Sequence, residues 1–312
     1  MQLTEVTPSA PDRFRLVSGS SALAAAALAP ATHRAYEGAL RRLAAWLGDR
    51  TLDDASLEAY LEHLHAAGLA PASAALAVAA VRTAARARGL TLHLPGTEAA
   101  LAGFRRSSPG RGRGQAVGIQ WHQADAMAAM ADADGSLSGI RDAAIIAVMS
   151  DALLRISELA ALQTDDLSLN DDGSATITIR RSKTDQTGET AELYLGPPTA
   201  DRLRKWMRTA SICSGVLFRR VRRGGHLGPG PLRPSSVAAV LAKRAAAVGI
   251  QGSVRGHSLR VGSAQSLVRA GATLPEIQQD GRWDSSRMPA LYSRKEAASK
   301  RGTARLRYQA NS

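Results

Sequence analysis

Arg155, Lys183, His257, Arg260, Trp283 and Tyr292 stand in that order in the later half of this chain, with Glu158 three residues after the first. A guanidinium is always cationic and grips phosphate oxygens through parallel N–H bonds, so two arginines are natural counter-charges for a phosphodiester under attack. Attack builds negative charge on two non-bridging oxygens. The leaving deoxyribose oxygen then needs a proton, best supplied by a lysine on an adjustable loop or by a histidine. Serine or tyrosine could be the nucleophile, and a covalent protein–DNA bond would conserve the phosphodiester energy. Arg155 lies in Leu153-Leu154-Arg155-Ile156-Ser157-Glu158-Leu159, where an apolar helix meets a polar turn, and Lys183 lies in Arg181-Ser182-Lys183-Thr184. His257 and Arg260, three apart, are expected on one helix face.

Taken singly, each residue has a plainer reading. Trp283 and Tyr292 could be packed aromatics, His257 a satisfied histidine, Lys183 a solvated charge, and Arg155 with Glu158 a surface ion pair. Tyr36, Tyr60 and Tyr194 fall in periodic core or strand patterns and take the packed reading.

Composition agrees with an anionic partner. The chain has 312 residues, 40 Lys+Arg against 27 Asp+Glu, and a formal charge of +13, an excess that points first to nucleic acid. No Gly-x-x-x-x-Gly-Lys-Ser/Thr loop and no His-Glu-x-x-His stretch occurs, which disfavours a P-loop ATPase and gives zinc chemistry no support; the expectation is no cofactor and no metal. The single cysteine, Cys213, excludes an intramolecular disulfide and is read as a small core residue. The run from Ala22 to Ala29 is too short for a membrane span and lacks a preceding basic segment. A soluble cytoplasmic protein without a membrane partner, nucleoid-associated when bound to DNA, is expected.

The elements that must position these residues are mainly α. Ala-rich runs and 4% aromatics favour helices. Tyr36, Leu40, Leu43 and Leu47 form one helical stripe; Leu57, Tyr60, Leu61 and Leu64 form a second after Asp53-Asp54; helices over 71–88 and 97–104 follow. Residues 1–18 read as a flexible arm and 19–104 as a helical bundle. Residues 105–115 read as a basic linker, with Arg105, Arg106, Arg111 and Arg113 on a tether that either is merely solvated or tracks phosphates. Residues 116–312 form a second, α-rich domain with a small antiparallel sheet, from Ala175–Arg180 and Ala191–Leu195, and a helix over 235–248.

The order Arg, Lys, His-x-x-Arg, Trp, Tyr resembles the tyrosine recombinase family of phage integrases. Gly256-His-Ser-Leu-Arg-Val-Gly262, Arg269-Ala-Gly-Ala-Thr-Leu-Pro-Glu-Ile277 and Gly281-Arg-Trp283 carry the likeness. Trp283 stands where most members have histidine, which marks one branch. The resemblance implies a helical core-binding domain and a catalytic domain that clamp duplex DNA, a specific inverted-repeat target, and a homotetramer on two duplexes joined through a C-terminal oligomerisation segment. It further implies Tyr292 as nucleophile forming a 3′-phosphotyrosine, Arg155 and Arg260 on the scissile phosphate, and Lys183 as the acid. His257 and Trp283 would be donors to the phosphate region, with Glu158 behind them. A type IB-like topoisomerase and a catalytically silent DNA-binding protein are the alternatives on the same scaffold.

Further DNA contacts are expected from His33 and Arg34 at the start of the first helix and from Arg82 and Arg86 at i, i+4 on the third, unless these are simply solvated faces. By resemblance, Ser235, Ser236, Lys243 and Arg244 form the base-reading face of the catalytic domain.

Overall fold

Pro30, Pro71, Pro95, Pro197 and Pro234 each open a helix, a position where the missing N–H would be unpaired anyway and the fixed φ is already helical. The computed structural model describes residues 28–112, 114, 116–180, 190–292 and 294. The chain divides into two units, Met1–Gln115 and Ala116–Ser312. The arm expected over 1–18, Arg113, Lys183 and the terminal segment from 295 lie outside the described residues.

In the first unit, α1 (Pro30–Leu47), α2 (Asp54–Ala66), α3 (Pro71–Arg86) and α4 (Pro95–Ser107) bury one shared core. Leu40, Leu43 and Leu47 meet Leu57, Tyr60, Leu61 and Leu64, with Ala74, Ala77, Val78 and Val81 of α3 and Phe104 of α4 closing the layer. The Asp53-Asp54 pair divides its work. Asp53 caps its own helix, accepting from the Ser56 N–H at 2.8 Å, while Asp54 accepts from the Gly96 and Thr97 N–H groups at 2.8 and 2.9 Å and so caps α4. α4 continues past Phe104 to Ser107, which puts Arg105 and Arg106 in its last turn and not on a tether; cations there meet unpaired carbonyls and the negative helix pole. Arg111 donates to the His65 carbonyl at 2.9 Å, which ties the chain after α4 back to the end of α2.

The second unit contains α5 (Trp121–Ala133), α6 (Leu137–Asp151), α7 (Ile156–Ala161), α8 (Pro197–Thr209), α9 (Pro234–Ala247), α10 (Ser258–Ala270), α11 (Leu274–Gly281) and α12 (Arg287–Tyr292). α6 is buried on every side from Gly139 to Ser150, as its all-round apolar Ile-Ala-Val-Met sequence requires. Strands β1 (Leu167–Leu169), β2 (Ala175–Ile179) and β3 (Ala191–Leu195) form an antiparallel sheet in that order, and β4 (Arg219–Val221) pairs with β5 (Leu227–Pro231). Ala175, Ile177 and Ile179 face the core while Thr176 and Thr178 alternate outward. β1 is an addition to the expected hairpin; three residues are too few to show a period. Tyr194 lies in β3 but on its open face, 61% exposed, and Cys213 is exposed, not a core residue: it sits between buried Ile212 and Leu217 in the turn after α8. No helix among the described residues is long and apolar enough to cross a membrane.

Candidate active site

The candidate site forms where helix ends converge. Past the end of α6, Leu153 takes a left-handed backbone (φ 46°), uncommon for a residue carrying a Cβ, and its carbonyl accepts from Nη1 of Arg260. The carbonyl of Gly281, the last residue of α11, accepts from Nη2 of the same guanidinium. Arg260, only 1% exposed in the first turn of α10, is therefore pinned between two helix C-termini, whose unpaired carbonyls and negative dipole ends favour a cation. Burial pushes its guanidinium down to about 9, and the like charges of Arg155 and Arg282 push the same way against Glu158 and Tyr292. It remains cationic at neutral pH and is poised to gain from any anion placed beside it.

Trp283 covers that guanidinium with its ring, 4.3 Å from centroid to Cζ. Tyr292 meets Trp283 edge-on, with centroids 5.9 Å apart and ring planes at 64°. Both rings belong to an apolar cluster with Leu153, Ala264, Val268 and Ile277, separate from the main core of the unit. Close approach explains two of the motif glycines. A Cβ on Gly281 would overlap the Trp283 ring, and one on Gly262 would overlap the Ile119 backbone, against which α10 is also bonded by Ile119 N–H to the Ser258 carbonyl at 2.9 Å.

Arg155 is the N-cap of α7. Its backbone N–H donates to Glu158 Oε2 at 2.9 Å and its Nη1 to Oε1 at 2.5 Å. The pair is no surface pair: the two side chains are 13% and 3% exposed. A third cation completes the group, since Arg282 donates through Nη2 to Glu158 Oε2 at 2.9 Å and through Nη1 to the Ala152 carbonyl at 3.2 Å. Burial pushes the Glu158 carboxyl up, but Arg282 and Arg155 outweigh it and hold the group below the ordinary glutamate value.

The structure thus brings together Arg155, Glu158, Arg260, Trp283 and Tyr292. His257 is the exposed N-cap of α10, outside the helix that starts at Ser258, so it does not share the buried face of Arg260 as its spacing suggested. Lys183 belongs to the connection from β2 to β3, outside the described residues. Two participants escaped the sequence reading. Gln265 donates to the Tyr292 carbonyl at 3.3 Å and anchors α12 from α10. Arg282 lies inside the Gly281-Arg282-Trp283 motif, yet no spacing rule reveals that it turns back onto Glu158.

The expected DNA contacts divide by exposure. Arg34, Arg86, Arg105, Arg106, Arg111, Ser235 and Lys243 are exposed. His33 is partly buried, 3.6 Å from Glu37, Ser236 is partly buried, and exposed Arg82 pairs with Glu98, a contact weak enough for a phosphate to displace. Arg244 is the correction. It is 5% exposed, donates through Nε to Asp142 at 2.9 Å and forms an ion pair with Asp134 at 2.9 Å, because its position on α9 faces α6 while Lys243 beside it faces solvent.

Comparison with known proteins adds a second line of findings. The phage integrase family matches residues 119–299, and the phage integrase N-terminal SAM-like domain matches residues 22–86. Recombinase Cre of Escherichia phage P1 is 27% identical over 200 residues, covering 58% of this chain and 57% of that protein. The match therefore spans little more than half the length of Cre. Tyrosine recombinase XerC of Mycobacterium sp. (strain JLS) is 30% identical over 265 residues, 80% of this chain and 82% of that protein. In fold, the chain is similar to the XerH site-specific recombinase bound to palindromic difH substrate in a post-cleavage complex, with TM-score 0.68 and 14% identity over 91% of this chain and 82% of that one.

Proposed function

The chain belongs to the phage integrase family, and from that membership we propose that it is a site-specific tyrosine recombinase that cuts and rejoins duplex DNA without ATP. The Tyr292 Oη gives up its proton to solvent and attacks the scissile phosphorus, a 3′-phosphotyrosine bond forms, and the bond to the 5′-oxygen breaks. Lys183 gives that oxygen its proton. The 5′-hydroxyl of a partner strand then attacks the phosphotyrosine and releases Tyr292, so bond energy is conserved through the exchange. Arg155 and Arg260 hold the two non-bridging oxygens, whose charge grows in the transition state. Trp283 and His257 donate to the phosphate region, and Glu158 orients Arg155 from behind.

The observation that carries this reading is the contiguous cluster of Arg155, Glu158, Arg260, Trp283 and Tyr292, in which α7 meets three consecutive helices, α10, α11 and α12, that come much later in the sequence. The exposed cations of the helical unit and of α4 supply backbone contacts to the duplex, and Ser235, Ser236 and Lys243 at the start and outer face of α9 read bases. The working assembly is a homotetramer on two duplexes with inverted-repeat sites, in the cytoplasm. Trapping tests the reading: the protein is incubated with fragmented host DNA, covalent complexes are isolated under denaturing conditions, and the attached DNA is sequenced. A covalent complex with one recurring sequence is expected from the unaltered chain and none from Tyr292→Phe. No covalent species from the unaltered chain, or equal yields from both, overturns the reading.

A further inference from the structure

We propose that Arg282 is a positioning residue: it fixes Glu158 and takes up its negative charge, so that Glu158 can orient Arg155 without neutralising it. The reaction invoked rests on the recombinase reading above, whereas the contacts do not. Arg282 follows Gly281 in a left-handed conformation (φ 51°, ψ 55°) at the C-cap of α11. That conformation suits glycine, because a Cβ meets the neighbouring backbone there. The strain is offset by what the side chain does. Its guanidinium, 12% exposed, bonds Glu158 Oε2 and the Ala152 carbonyl together, and the Ala152-to-Glu158 stretch is the one that presents the Leu153 carbonyl to Arg260 and carries Arg155. Arg282 therefore ties the end of α11 to the segment that holds both phosphate-binding arginines.

The charges show why a third arginine matters. Glu158 is faced by Arg155 and its N–H on its own helix, by Arg282 from the end of α11, and by Arg260 from α10; Tyr292 of α12 faces Arg260 in turn. With one carboxylate and two guanidiniums, a single positive charge would meet the phosphate. With Arg282 present, two remain, matching the two negative charges on the non-bridging oxygens of a pentacoordinate phosphorus attacked by a phenolate. Burial opposes ionisation of Glu158, and Arg282 is the strongest influence against it.

The test compares the full-length protein with Arg282→Gly, Arg282→Asn, Arg282→Lys, Glu158→Gln and the double variant Glu158→Gln/Arg282→Gly. Gly and Asn both tolerate the left-handed backbone, so neither adds strain at this position. Covalent adduct on a nicked duplex of the trapped sequence is measured from pH 5 to 8. Losing an opposite charge raises the Glu158 carboxyl, so adduct formation by Arg282→Gly should fail in acid at a higher pH than adduct formation by the unaltered chain. Lysine should restore part of the shift, the double variant should show none beyond Glu158→Gln alone, and duplex affinity should not change.

A DNA-free arm separates the two readings. With its folded value lowered, Glu158 stabilises the unaltered chain above its unfolded value and loses that contribution as pH falls. The melting temperatures of the unaltered chain and Arg282→Gly should therefore differ most near neutrality and converge in acid. Convergence without any adduct from the unaltered chain would sink the recombinase reading and leave the Glu158 contact standing. A pH profile and melting difference unchanged by Arg282→Gly, or an equal loss of adduct and duplex affinity at every pH, overturns the positioning role.

Discussion

Replacing Arg244 should damage stability, not DNA reading, and its size can be worked from the partners. Asp142, 2% exposed, accepts from Arg141 Nη2 and Nε at 2.7 and 3.1 Å and from Arg244 Nε at 2.9 Å. Breaking one side of a buried ion pair costs about 3–5 kcal/mol because a charge is left uncompensated. Arg244→Met leaves Asp142 with Arg141, and Asp134, 30% exposed, can rehydrate, so the loss belongs near the lower end, ~3 kcal/mol. Asp142→Asn strips the carboxylate from two buried guanidiniums at once and belongs near the upper end, ~5 kcal/mol. In a unit of this size each kcal/mol shifts the midpoint by roughly 2–4 °C, so the transitions should fall by roughly 6–12 °C and 10–20 °C. Calorimetry on the full chain reads both. Below the transition, Arg244→Met should discriminate trapped sequence from random duplex as well as the unaltered protein does. An unchanged melting temperature together with lost discrimination would return Arg244 to the DNA surface and refute the burial argument.

Lys183→Ala should slow cleavage by about 10²–10⁴-fold on a normal 5′-oxygen leaving group and far less on a 5′-bridging phosphorothiolate, whose thiolate departs without a proton; equal losses on both would make Lys183 a phosphate contact. Neutralising Arg105, Arg106, Arg111 and Arg113 together should flatten the salt dependence of duplex binding by about 0.9 in log K per log salt for each phosphate no longer neutralised, on specific and random DNA alike. Weakening confined to the specific duplex would show that these residues read bases. Truncation after Arg294 should leave single-site binding intact and abolish the assembly of two duplexes, by light scattering; tetramers from the truncated chain would place the subunit contact elsewhere.

Much of the fold was legible because its signals are local. The Leu40, Leu43, Leu47 stripe and the Ala-Thr-Ile-Thr-Ile alternation each follow from a period, and each is found where that rule puts it. What local rules could not supply is direction and partner. Asp53 and Asp54 are equal as start signals, yet one caps α2 and the other caps α4, a distinction that depends on where Gly96 and Thr97 arrive. Lys243 and Arg244 are adjacent and chemically alike, and only the packing of α9 on α6 sends one outward and the other onto Asp142. A base-reading role for Arg244 failed on that point.

The site was legible in its residue types and illegible in its strain. Three residues other than glycine have positive φ among those described, and two of them, Leu153 and Arg282, border the Arg260 guanidinium. Left-handed backbone at a residue with a Cβ is unfavourable by about 1–3 kcal/mol, and it persists where surrounding contacts over-determine it. Here Leu153 presents a helix-end carbonyl to Arg260, and Arg282 reaches Glu158, so the local rule is broken in the service of placing three guanidiniums around one carboxylate. Burial first, and then repulsion from Arg155 and Arg282, depresses the Arg260 guanidinium. An anion entering between Arg155 and Arg260 relieves that repulsion, and it does so more as its charge grows, which is the condition for binding a phosphate more tightly in the transition state than in the ground state.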